Sequence, residues 1–458
     1  MDKKKKSTKL YHSLTTVGFM IAVMFTGIVI YDAGPHIPLV FACMGAGLVA
    51  LWIGYSWEEI LDGMLTGIVD SLEAILILLL IGMLVGSWIA CGTVPSLICY
   101  GLNIVTPGIF LPATMVICLI VAFAIGSWGT VGTMGIAFMG IGTALGIPVP
   151  LTAGAVVSGA YMGEVVSPLS DATNLTAAVV NRNVFDIVKK ILPAAVLSGT
   201  AAAVLYWLLG KSYAGGNASA VQESVTPLVN SLKENFAVTP LALLPLLIMV
   251  VCILVKLPAI PSMLAGSIIG MIEAAFLQKE PMDKILEYAW SGFVSETGNE
   301  LIDTLLTAGG MSVMLESVAV IILAMAFGGI MRKTGQMEAL TRPVVRRLRA
   351  PWQMSLLTVV NCIFMNTILP DQYLAISMPG QMYGDEYDKR GLSREELGST
   401  VLGGGAVTSP LVPWNTCGIY CMTILGVSPL RYGRYALFGL ILPAVTVLRS
   451  FIRKKNEI

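Results

Sequence analysis

Two short polar stretches, each flanked by long apolar runs, hold the residues best suited to ion chemistry. The first is Gly126–Thr133 and the second is Ser167–Asn174. Both are rich in glycine, proline or hydroxyl side chains, and the second contains a carboxylate, Asp171. Irregular backbone persists inside a bilayer only where it is buried in protein or lines a cavity. The two stretches therefore predict the two halves of one binding site.

Asp171 carries the strongest expectation of a functional role. A carboxylate at the centre of a membrane helix costs about 2.5–3.5 kcal/mol on insertion scales, so its retention favours a function. Oxygen ligands suit small hard cations, and Na⁺ is predicted to bind at Asp171, Thr173 and Asn174. The alternative is a helix cap, because aspartate and serine cap helices well, and both roles can coexist. The predicted cation- and proton-binding residues are Asp171, Ser170, Thr173, Asn174, Ser127, Thr130, Thr133 and Glu164.

Glu164 lies one turn before the second stretch, and two roles remain open for it. As an ionisable group beside the break, it could carry a proton during transport. It could equally be a structural partner for a nearby hydroxyl.

A weaker copy of the pattern follows in the second half of the chain. One polar stretch there ends at Asp371, and the other is Ser409–Thr416. The two half-sites are unequal, because Val412-Pro413-Trp414 stands where the first break has its serine, aspartate and threonine. The predicted residues of the second half-site are Asp371, Asn366, Thr367, Ser409, Asn415 and Thr416.

The composition indicates an integral membrane protein. Of the 458 residues, 56% are hydrophobic and 12% are charged, whereas soluble proteins carry roughly 25% charged residues. Apolar runs of about 16 to 20 residues recur, which favours helices over the alternating pattern of a β-barrel. The formal net charge is zero, so nothing in it indicates a nucleic-acid partner.

Cysteine and histidine usage argues against metal chemistry. The eight cysteines are scattered singly without a CxxC pair. The two histidines form no cluster with them at the spacing of a metal-binding motif. We therefore expect free buried thiols, no His-based metal site and no cofactor. The absence of a nucleophile motif in the sequence also disfavours an enzyme.

The apolar runs map to ten membrane spans and two re-entrant hairpins, whose predicted tips are Gly126–Thr133 and Asn366–Asp371. The first run, Leu14–Ile30, follows lysines but precedes no cleavage site, so it is predicted to be a retained helix. Trp57–Asp70 is amphipathic and is predicted to lie at the interface, and Gly210–Val238 is predicted to be an external loop. Both termini are then cytoplasmic. The positive-inside rule supports this orientation, because it places four basic clusters inside: Lys3–Lys9, Arg182–Lys190, Arg332–Arg349 and Arg449–Lys455.

An internal repeat relates the two halves of the chain. Glu73 recurs as Glu316, and Ser167-Pro168-Leu169 recurs as Ser409-Pro410-Leu411, at offsets of 242 to 243 residues. In the predicted topology the matched helices run in opposite directions. The expected fold is therefore an all-α polytopic membrane protein with inverted repeats, two re-entrant helical hairpins and two broken transmembrane helices, the architecture of secondary transporters. Scattered glycines such as Gly82 and Gly329 are predicted to let helices pack closely.

The sequence resembles the NhaC family of sodium/proton antiporters, within the larger ion-transporter superfamily. The resemblance extends from about Trp57 to the end of the chain, and its most specific parts are Gly126–Thr133 and Gly159–Asn174. It implies ion binding between hairpin tips and helix breaks, in a transport domain that slides like an elevator past a dimeric scaffold. It also implies that Gly92–Val105 and Arg332–Arg349 are interfacial arms.

The resemblance further implies that the chain has four parts. Residues 1–108 would form a first scaffold part with an interfacial arm, and residues 109–209 a first transport part with a hairpin and a broken helix. Residues 210–351 would form the external loop and a second scaffold part with its arm, and residues 352–458 the second transport part.

The leading functional expectation is antiport of cytoplasmic Na⁺, or Li⁺, against external H⁺ in the inner membrane of a bacterium. It rests on carboxylates without lysine or arginine in the predicted mid-membrane segments, because one such carboxylate can bind Na⁺ or H⁺ in turn. The alternative is Na⁺- or H⁺-coupled transport of a small organic solute, such as a malate- or lactate-type carboxylate or an amino acid. The expected partners are the lipid bilayer, Na⁺, H⁺ and a second copy of the chain.

Overall fold

The protein is an all-helical, polytopic membrane protein in the computed structural model. The model describes residues 8–31, 34–104, 107–168, 170–214, 218–255, 257–299, 302–303, 306–345, 350–368 and 371–456. Within these ranges, six helices are long and apolar enough to cross a membrane, or up to eight if each of two bent pairs is one span. Ten spans were expected, and the difference arises where predicted spans form shorter apolar helices such as Ile260–Phe276.

The first part of the chain contains helices up to the long α10. They are α1 (Leu10–Met24), α2 (His36–Ile53), α3 (Trp57–Asp70), α4 (Leu72–Ala90), α5 (Thr93–Ile104), α6 (Pro107–Thr130), α7 (Ile136–Ala144), α8 (Val149–Val166), α9 (Asp171–Val180) and α10 (Val184–Ala214).

The second part continues with shorter helices and a second series of long ones. They are α11 (Ala218–Asn235), α12 (Leu244–Leu254), α13 (Ala259–Phe276), α14 (Met282–Ser291), α15 (Leu315–Lys333), α16 (Gln336–Val345), α17 (Pro351–Ile368), α18 (Gln372–Asp388), α19 (Arg394–Val401), α20 (Thr416–Leu425), α21 (Pro429–Tyr432) and α22 (Leu437–Asn456).

A first helical hairpin reverses the chain at Gly126, as the sequence predicted. Gly126 has φ 75° and ψ 173°, a conformation that is open essentially only to glycine. Phe110 and Phe138 lie on either side of it, and their ring centroids are 6.2 Å apart. A straight helix would separate them by about 42 Å at 1.5 Å per residue. The two arms of the hairpin are therefore antiparallel and pack against each other.

A second helical hairpin is formed by α17 and α18. The Asn361 amide donates to the Tyr383 hydroxyl at 2.7 Å, and Thr358 and Tyr387 share a hydrogen bond of 3.1 Å. The bonded partners are 22 residues apart in the first pair and 29 in the second, and such a growing separation away from the tip indicates antiparallel helices. The tip residues Leu369 and Pro370 lie outside the described residues.

Each hairpin is followed by a helix with a break. The first consists of α8 and α9, interrupted between Val166 and Asp171, and the second consists of α19 and α20, interrupted by a π-helical segment, Leu402–Ala406, and a bend at Ser409–Asn415. The order helix, hairpin, broken helix and proline-containing helix thus occurs twice along the chain. The two proline-containing helices, α10 and α22, pack against each other.

Helix α8, the first half of the first broken helix, lies in the interior of the protein. Of its 18 residues, 16 are buried, and it packs extensively against α6. Gly159 and Gly163 permit this close approach, since a Cβ at either position would meet the α6 backbone carbonyl of Met115 or Leu119. Small residues allow such backbone contact between membrane helices. The candidate residue Glu164 follows directly in this tightly packed segment.

Helix α3 packs against α15 through glycine. A Cβ on Gly67 would collide with the Met325 carbonyl and would lie 3.0 Å from the Gly329 Cα, so the predicted packing role of Gly329 is confirmed. An ion pair of 2.6 Å between Lys333 and Asp62 also joins these helices. The predicted boundaries of α3 hold, but α3 continues into α4 as one 34-residue helix rather than standing as a separate interfacial helix.

The expectation of an external loop at Gly210–Val238 is wrong for most of its length. Helix α10 extends to Ala214, and α11 occupies Ala218–Asn235. The segment has a high polar content, but its apolar residues recur at helical spacing, and Val229 and Leu232 are buried. Asn217 lies outside the described residues.

Candidate ion-binding site

The first break is held to its surroundings by two hydroxyl groups. Ser167, directly after α8, donates to the Phe123 carbonyl of the first hairpin at 2.5 Å. Thr173, in the first turn of α9, donates to the Glu164 carbonyl at 3.1 Å. The Glu164 carbonyl also accepts from the Ser167 N–H at 3.3 Å, so the end of α8 is bonded to both sides of the break. The break is therefore a fixed structure that faces the first hairpin.

Asp171 is the first residue of α9 and is exposed. Its negative charge lies at the positive end of the α9 dipole, which stabilises an anion. Asn174 shares this exposed face and donates to the Pro168 and Ser170 carbonyls, at 2.9 Å each. Thr173 is buried on the other side of the helix. The predicted Na⁺ ligands are thus divided, with Asp171 and Asn174 outward and Thr173 inward.

Glu164 is the buried acid of the site, with 5% of its surface exposed. Its Oε2 accepts a hydrogen bond from Nε2 of Gln372, at the start of the second hairpin's return helix, at 3.1 Å. Asp171 is close enough to interact with it electrostatically. The Ser127 hydroxyl lies beside the same carboxylate but makes no hydrogen bond of acceptable geometry there. The structure therefore unites the first hairpin, both ends of the first break and the second hairpin at Glu164.

Three buried hydroxyls on the first hairpin, α8 and the first break have no hydrogen-bond partner among the described residues: Ser127, Tyr161 and Ser170. Tyr161 lies three residues before Glu164 and so shares its helix face. Buried polar groups without partners are rare in folded proteins and often mark functional positions. Their free lone pairs are oxygen ligands of the type that a dehydrated cation accepts.

The other predicted residues of the first hairpin are engaged within their own helix. Thr130 donates to the Gly126 carbonyl at 2.8 Å, and Thr133 donates to the Gly129 carbonyl at 2.7 Å. Both side chains are buried, and their oxygens still have lone pairs that can accept. Their present role is to hold the turn after the reversal of the chain.

The second half-site is built mainly from amides that bond one another. Asn366 donates to the Gly405 carbonyl at 2.7 Å and to the Thr408 hydroxyl at 2.9 Å. Asn415 donates to the side-chain oxygen of Asn366 at 3.1 Å, and its own side-chain oxygen accepts from the Cys417 N–H. These bonds join the second hairpin to the second break. Their geometry is that of a structural link.

Asp371 caps α18, since its carboxylate accepts from the Leu374 N–H at 2.9 Å. It is buried and lies within electrostatic range of Arg332. Thr367 is tied into α17 by its hydroxyl, and its carbonyl accepts from the Trp414 indole at 2.6 Å. Ser409 and Thr416 are buried at the break.

The two halves meet across the site. Tyr420 of α20 stacks on Trp128 of the first hairpin, with centroids 4.4 Å apart and planes 10° from parallel. Tyr373 of the second hairpin lies within electrostatic range of Asp171 and Glu164. Each hairpin therefore packs against the broken helix of the other half.

Comparison with known proteins identifies the family. The sequence profile of the Na⁺/H⁺ antiporter family matches residues 3–211 and 159–452. The chain belongs to the Na⁺/H⁺ antiporter family. It is 33% identical to the Na⁺/H⁺ antiporter NhaC of Alkalihalophilus pseudofirmus, over 98% of this chain and 96% of that protein. The resemblance to NhaC that the motifs indicated is thereby confirmed.

Two other relatives that match over nearly their full length are named as antiporters of organic solutes. The chain is 34% identical to the malate-2H⁺/Na⁺-lactate antiporter of Bacillus subtilis, over 97% of this chain and 95% of that protein. It is 32% identical to the arginine/ornithine antiporter ArcD of Halobacterium salinarum, over 98% of this chain and 93% of that protein. Membership of the antiporter family therefore leaves more than one kind of solute open.

Sequence reasoning missed two residues at the centre of this antiporter-family site. Gln372 donates to Glu164 and accepts from the Cys417 thiol at 2.8 Å and the Ser409 hydroxyl at 3.4 Å. The position of Gln372, directly after Asp371 at a predicted hairpin tip, was the available signal. Cys417 had no signal, because a single cysteine at a helix start is compatible with simple burial.

Proposed function

We propose that this protein is a Na⁺/H⁺ antiporter of a bacterial inner membrane, which exchanges cytoplasmic Na⁺ or Li⁺ for external H⁺. One observation carries the proposal beyond the family: the buried Glu164 carboxylate is hydrogen-bonded by an amide and not by a lysine or arginine. An ionised carboxylate in such surroundings is costly unless a cation or a proton neutralises it. Alternating occupancy by Na⁺ and H⁺ is the property that exchange requires.

Asp171 is the accessible partner of Glu164 in this proposal. It is exposed where Glu164 is buried, and the two carboxylates interact electrostatically. Two like charges at close range disfavour simultaneous ionisation. A cation that enters at Asp171 therefore competes with a proton for the pair, and this competition couples the two fluxes.

The proposed architecture is a homodimer of inverted repeats that works as an elevator, with both termini cytoplasmic. The repeated order of helix, hairpin, broken helix and proline-containing helix supports a two-fold relation between the halves. In this scheme residues 109–209 and 352–458 form the moving part, and residues 1–108 and 210–351 form the scaffold.

Substitution Asp171→Asn tests the function, and Asp186→Asn is the matched control. Both aspartates are exposed and lie in the first turn of a helix. In vesicles with an acidic interior, addition of Na⁺ should dissipate the pH gradient for the wild type and for Asp186→Asn. The Asp171→Asn variant should lose at least about 90% of the rate, because an amide has no charge to exchange. A wild type that responds to neither Na⁺ nor Li⁺ would refute the function.

A second candidate function is Na⁺- or H⁺-coupled exchange of a small organic solute. The identities to the malate/lactate and arginine/ornithine antiporters are close to the identity to NhaC, which favours keeping this candidate. Thermal unfolding in detergent separates the two. A carboxylate or amino acid that raises the unfolding temperature only with Na⁺ present would support solute coupling, and stabilisation by Na⁺ alone would support simple antiport.

A further inference from the structure

The side-chain amide of Gln372 hydrogen-bonds residues from both halves of the chain. Its Nε2 donates to Glu164 of the first broken helix at 3.1 Å, and its Oε1 accepts from Cys417 of the second broken helix at 2.8 Å. Gln372 is 3% exposed, so these bonds are shielded from water. A change in the hydrogen bonding at Glu164 therefore reaches Cys417 through one side chain.

An amide group has a donor end and an acceptor end, and the present orientation suits an ionised Glu164. If Glu164 takes up H⁺, its protonated oxygen donates a hydrogen bond and needs an acceptor, and if it takes up Na⁺, the ion needs a further oxygen ligand. In both cases the site calls for an oxygen in place of the N–H donor. Rotation of the Gln372 amide by about 180° about its last side-chain torsion, which is soft and roughly two-fold, supplies that oxygen. The same rotation turns the amide NH₂ toward the second broken helix.

The second broken helix can accept the turned amide. The Ser409 hydroxyl donates to the Ala406 carbonyl at 2.7 Å, which is a better bond than its 3.4 Å contact with Gln372 Oε1. Its oxygen lone pairs are therefore available to an N–H from Gln372. The Cys417 thiol, which now donates to Gln372, has to turn its hydrogen away.

We propose that Gln372 is a positioning residue that turns its amide when Glu164 is occupied and so transmits this occupancy from the first broken helix to the second. The inference deepens the proposed antiport function and rests on it. Gln372 acts through Glu164, and the step exchanges hydrogen bonds without forming or breaking covalent bonds within the side chain. The halves are thereby coupled at the point where both breaks face the second hairpin.

Among the described residues, Gln372 makes the one hydrogen bond to the Glu164 carboxylate, and the Ser127 hydroxyl of the first hairpin lies beside that carboxylate without a bond of acceptable geometry. The groups that interact with Glu164 electrostatically are acids, phenols and thiols: Asp171 from α9, Tyr161 on its own helix, Tyr373 from α18, and Cys417 and Cys421 from α20. The carboxylate of Asp171 opposes ionisation of Glu164. The Gln372 N–H favours it, because it donates to the charged form.

The pH profile of Gln372→Met distinguishes this role from simple packing. Methionine has a similar length but no amide, so the ionised form of Glu164 loses its donor and proton uptake is favoured. The pH of half-maximal Na⁺-dependent proton flux should move upward by about one unit, the effect of one hydrogen bond to a charged group. Gln372→Glu should move the profile further in the same direction, since it adds a like charge.

Asn361→Leu is the matched control, because Asn361 is a buried amide of the same hairpin that bonds only Tyr383 in the described structure. Its substitution should leave the pH profile unchanged. Unchanged profiles in both Gln372 variants, or an equal shift in Asn361→Leu, would overturn the inference. If Gln372→Met does not fold, Gln372→Glu decides.

A binding measurement separates failure of this inference from failure of the antiport function. The rise in unfolding temperature caused by Na⁺ is measured against pH for the wild type and the Gln372 variants in detergent. A midpoint displaced upward in the variants supports the inference even if vesicles show that the coupled solute is organic. A sodium effect with the same midpoint in all proteins contradicts it, whatever is transported.

Discussion

Two carboxylates near one break have opposite environments. Glu164 is enclosed and bonded by Gln372, whereas Asp171 is exposed at the start of α9. Proton affinity is set by such surroundings more than by residue type. In the proposed antiport the two acids therefore have different roles, with entry of a cation at Asp171 and its dehydrated binding near Glu164.

Asp303 lies outside the membrane-spanning helices, and its carboxylate accepts several hydrogen bonds from the neighbouring loop. Its carboxylate accepts from the Thr297 N–H and hydroxyl, both at 2.7 Å, and from the Ser295 hydroxyl at 2.8 Å. The hydrogen bonds from Thr297 in particular hold the pKa of Asp303 below its ordinary value. A lowered pKa in the folded state stabilises the fold above the unfolded value of about 4, and the contribution is lost as the pH falls through the folded pKa.

We therefore expect Asp303→Asn to lower the unfolding temperature at pH 7, with a smaller difference from the wild type at pH 3. Thermal unfolding in detergent at the two pH values measures this. Thr297→Val removes one of the donors and should have a smaller effect of the same sign. An equal difference at both pH values would show that the charge of Asp303 is not the stabilising feature.

From the sequence, the direction in which a single side chain faces can be predicted only if the first residue of its helix is known. Asp171 and Ser170 stood out because they interrupt apolar sequence. The predicted irregular stretch ran to Asn174, whereas α9 begins at Asp171, and this earlier start turns Thr173 inward to the Glu164 carbonyl. Gln372 was missed because its role depends on which helix the hairpin tip faces, and that is decided by tertiary packing.

At the scale of elements, glycine contacts set the distance between α3 and α15. Gly67→Ala places a methyl group against the Met325 carbonyl and Gly329, which are backbone atoms that cannot move without the helix. We expect a loss of about 1–3 kcal/mol in stability from this overpacking. The measurement is the unfolding temperature of the detergent-solubilised protein.

Gly47→Ala is the control, since a Cβ there meets no atom within 4 Å. It should be neutral or stabilising by up to about 1 kcal/mol, because alanine is the better helix former. Equal behaviour of the two variants would mean that α3 and α15 are not held by close contact.

The elements that were predicted well have strong local signals. Gly126 fixes the first reversal because its positive φ suits only glycine, and Trp57–Asp70 has the helical spacing of an amphipathic segment. The segment of α11 was mistaken for a loop because it is rich in polar residues, although Val229 and Leu232 are buried. The mean polarity of the segment does not indicate such a helix, whereas the helical spacing of its apolar residues does.

At the scale of the whole molecule, a close contact between two hydroxyl groups crosses the proposed boundary between scaffold and moving part. The Ser317 hydroxyl of α15 lies 2.5 Å from the Thr423 hydroxyl of α20. The matched contact within the moving part is Ser355 on α17, which donates to Ser450 on α22 at 2.9 Å. Cysteine pairs at these positions therefore test relative movement.

Oxidation of Ser317→Cys/Thr423→Cys should stop at least about 90% of Na⁺-dependent flux, and reduction should restore it, because the disulfide fixes two bodies that must move. Oxidised Ser355→Cys/Ser450→Cys should remain active. Single-cysteine variants treated in the same way control for the eight native thiols. Full activity of the oxidised Ser317/Thr423 pair would refute the elevator scheme without affecting the antiport function.

The overall order of elements could be predicted, but the number of spans could not. Composition gives apolar segments, while bending and helix length depend on contacts between segments. Helix α11 and the helix after it, for example, meet at 92° across a short break. The pairing of each hairpin with the opposite broken helix likewise leaves no trace in one chain's sequence.

The stacked pair of Trp128 and Tyr420 gives this site an optical signal of its own. The indole of Trp128 lies on the first hairpin and its partner lies on the second broken helix, 4.4 Å away and nearly parallel. Indole emission responds to the ring that covers it and to the entry of water. In a variant whose other tryptophans are replaced by phenylalanine, the fluorescence of Trp128 would report movement of the hairpin tip in real time, without an attached dye.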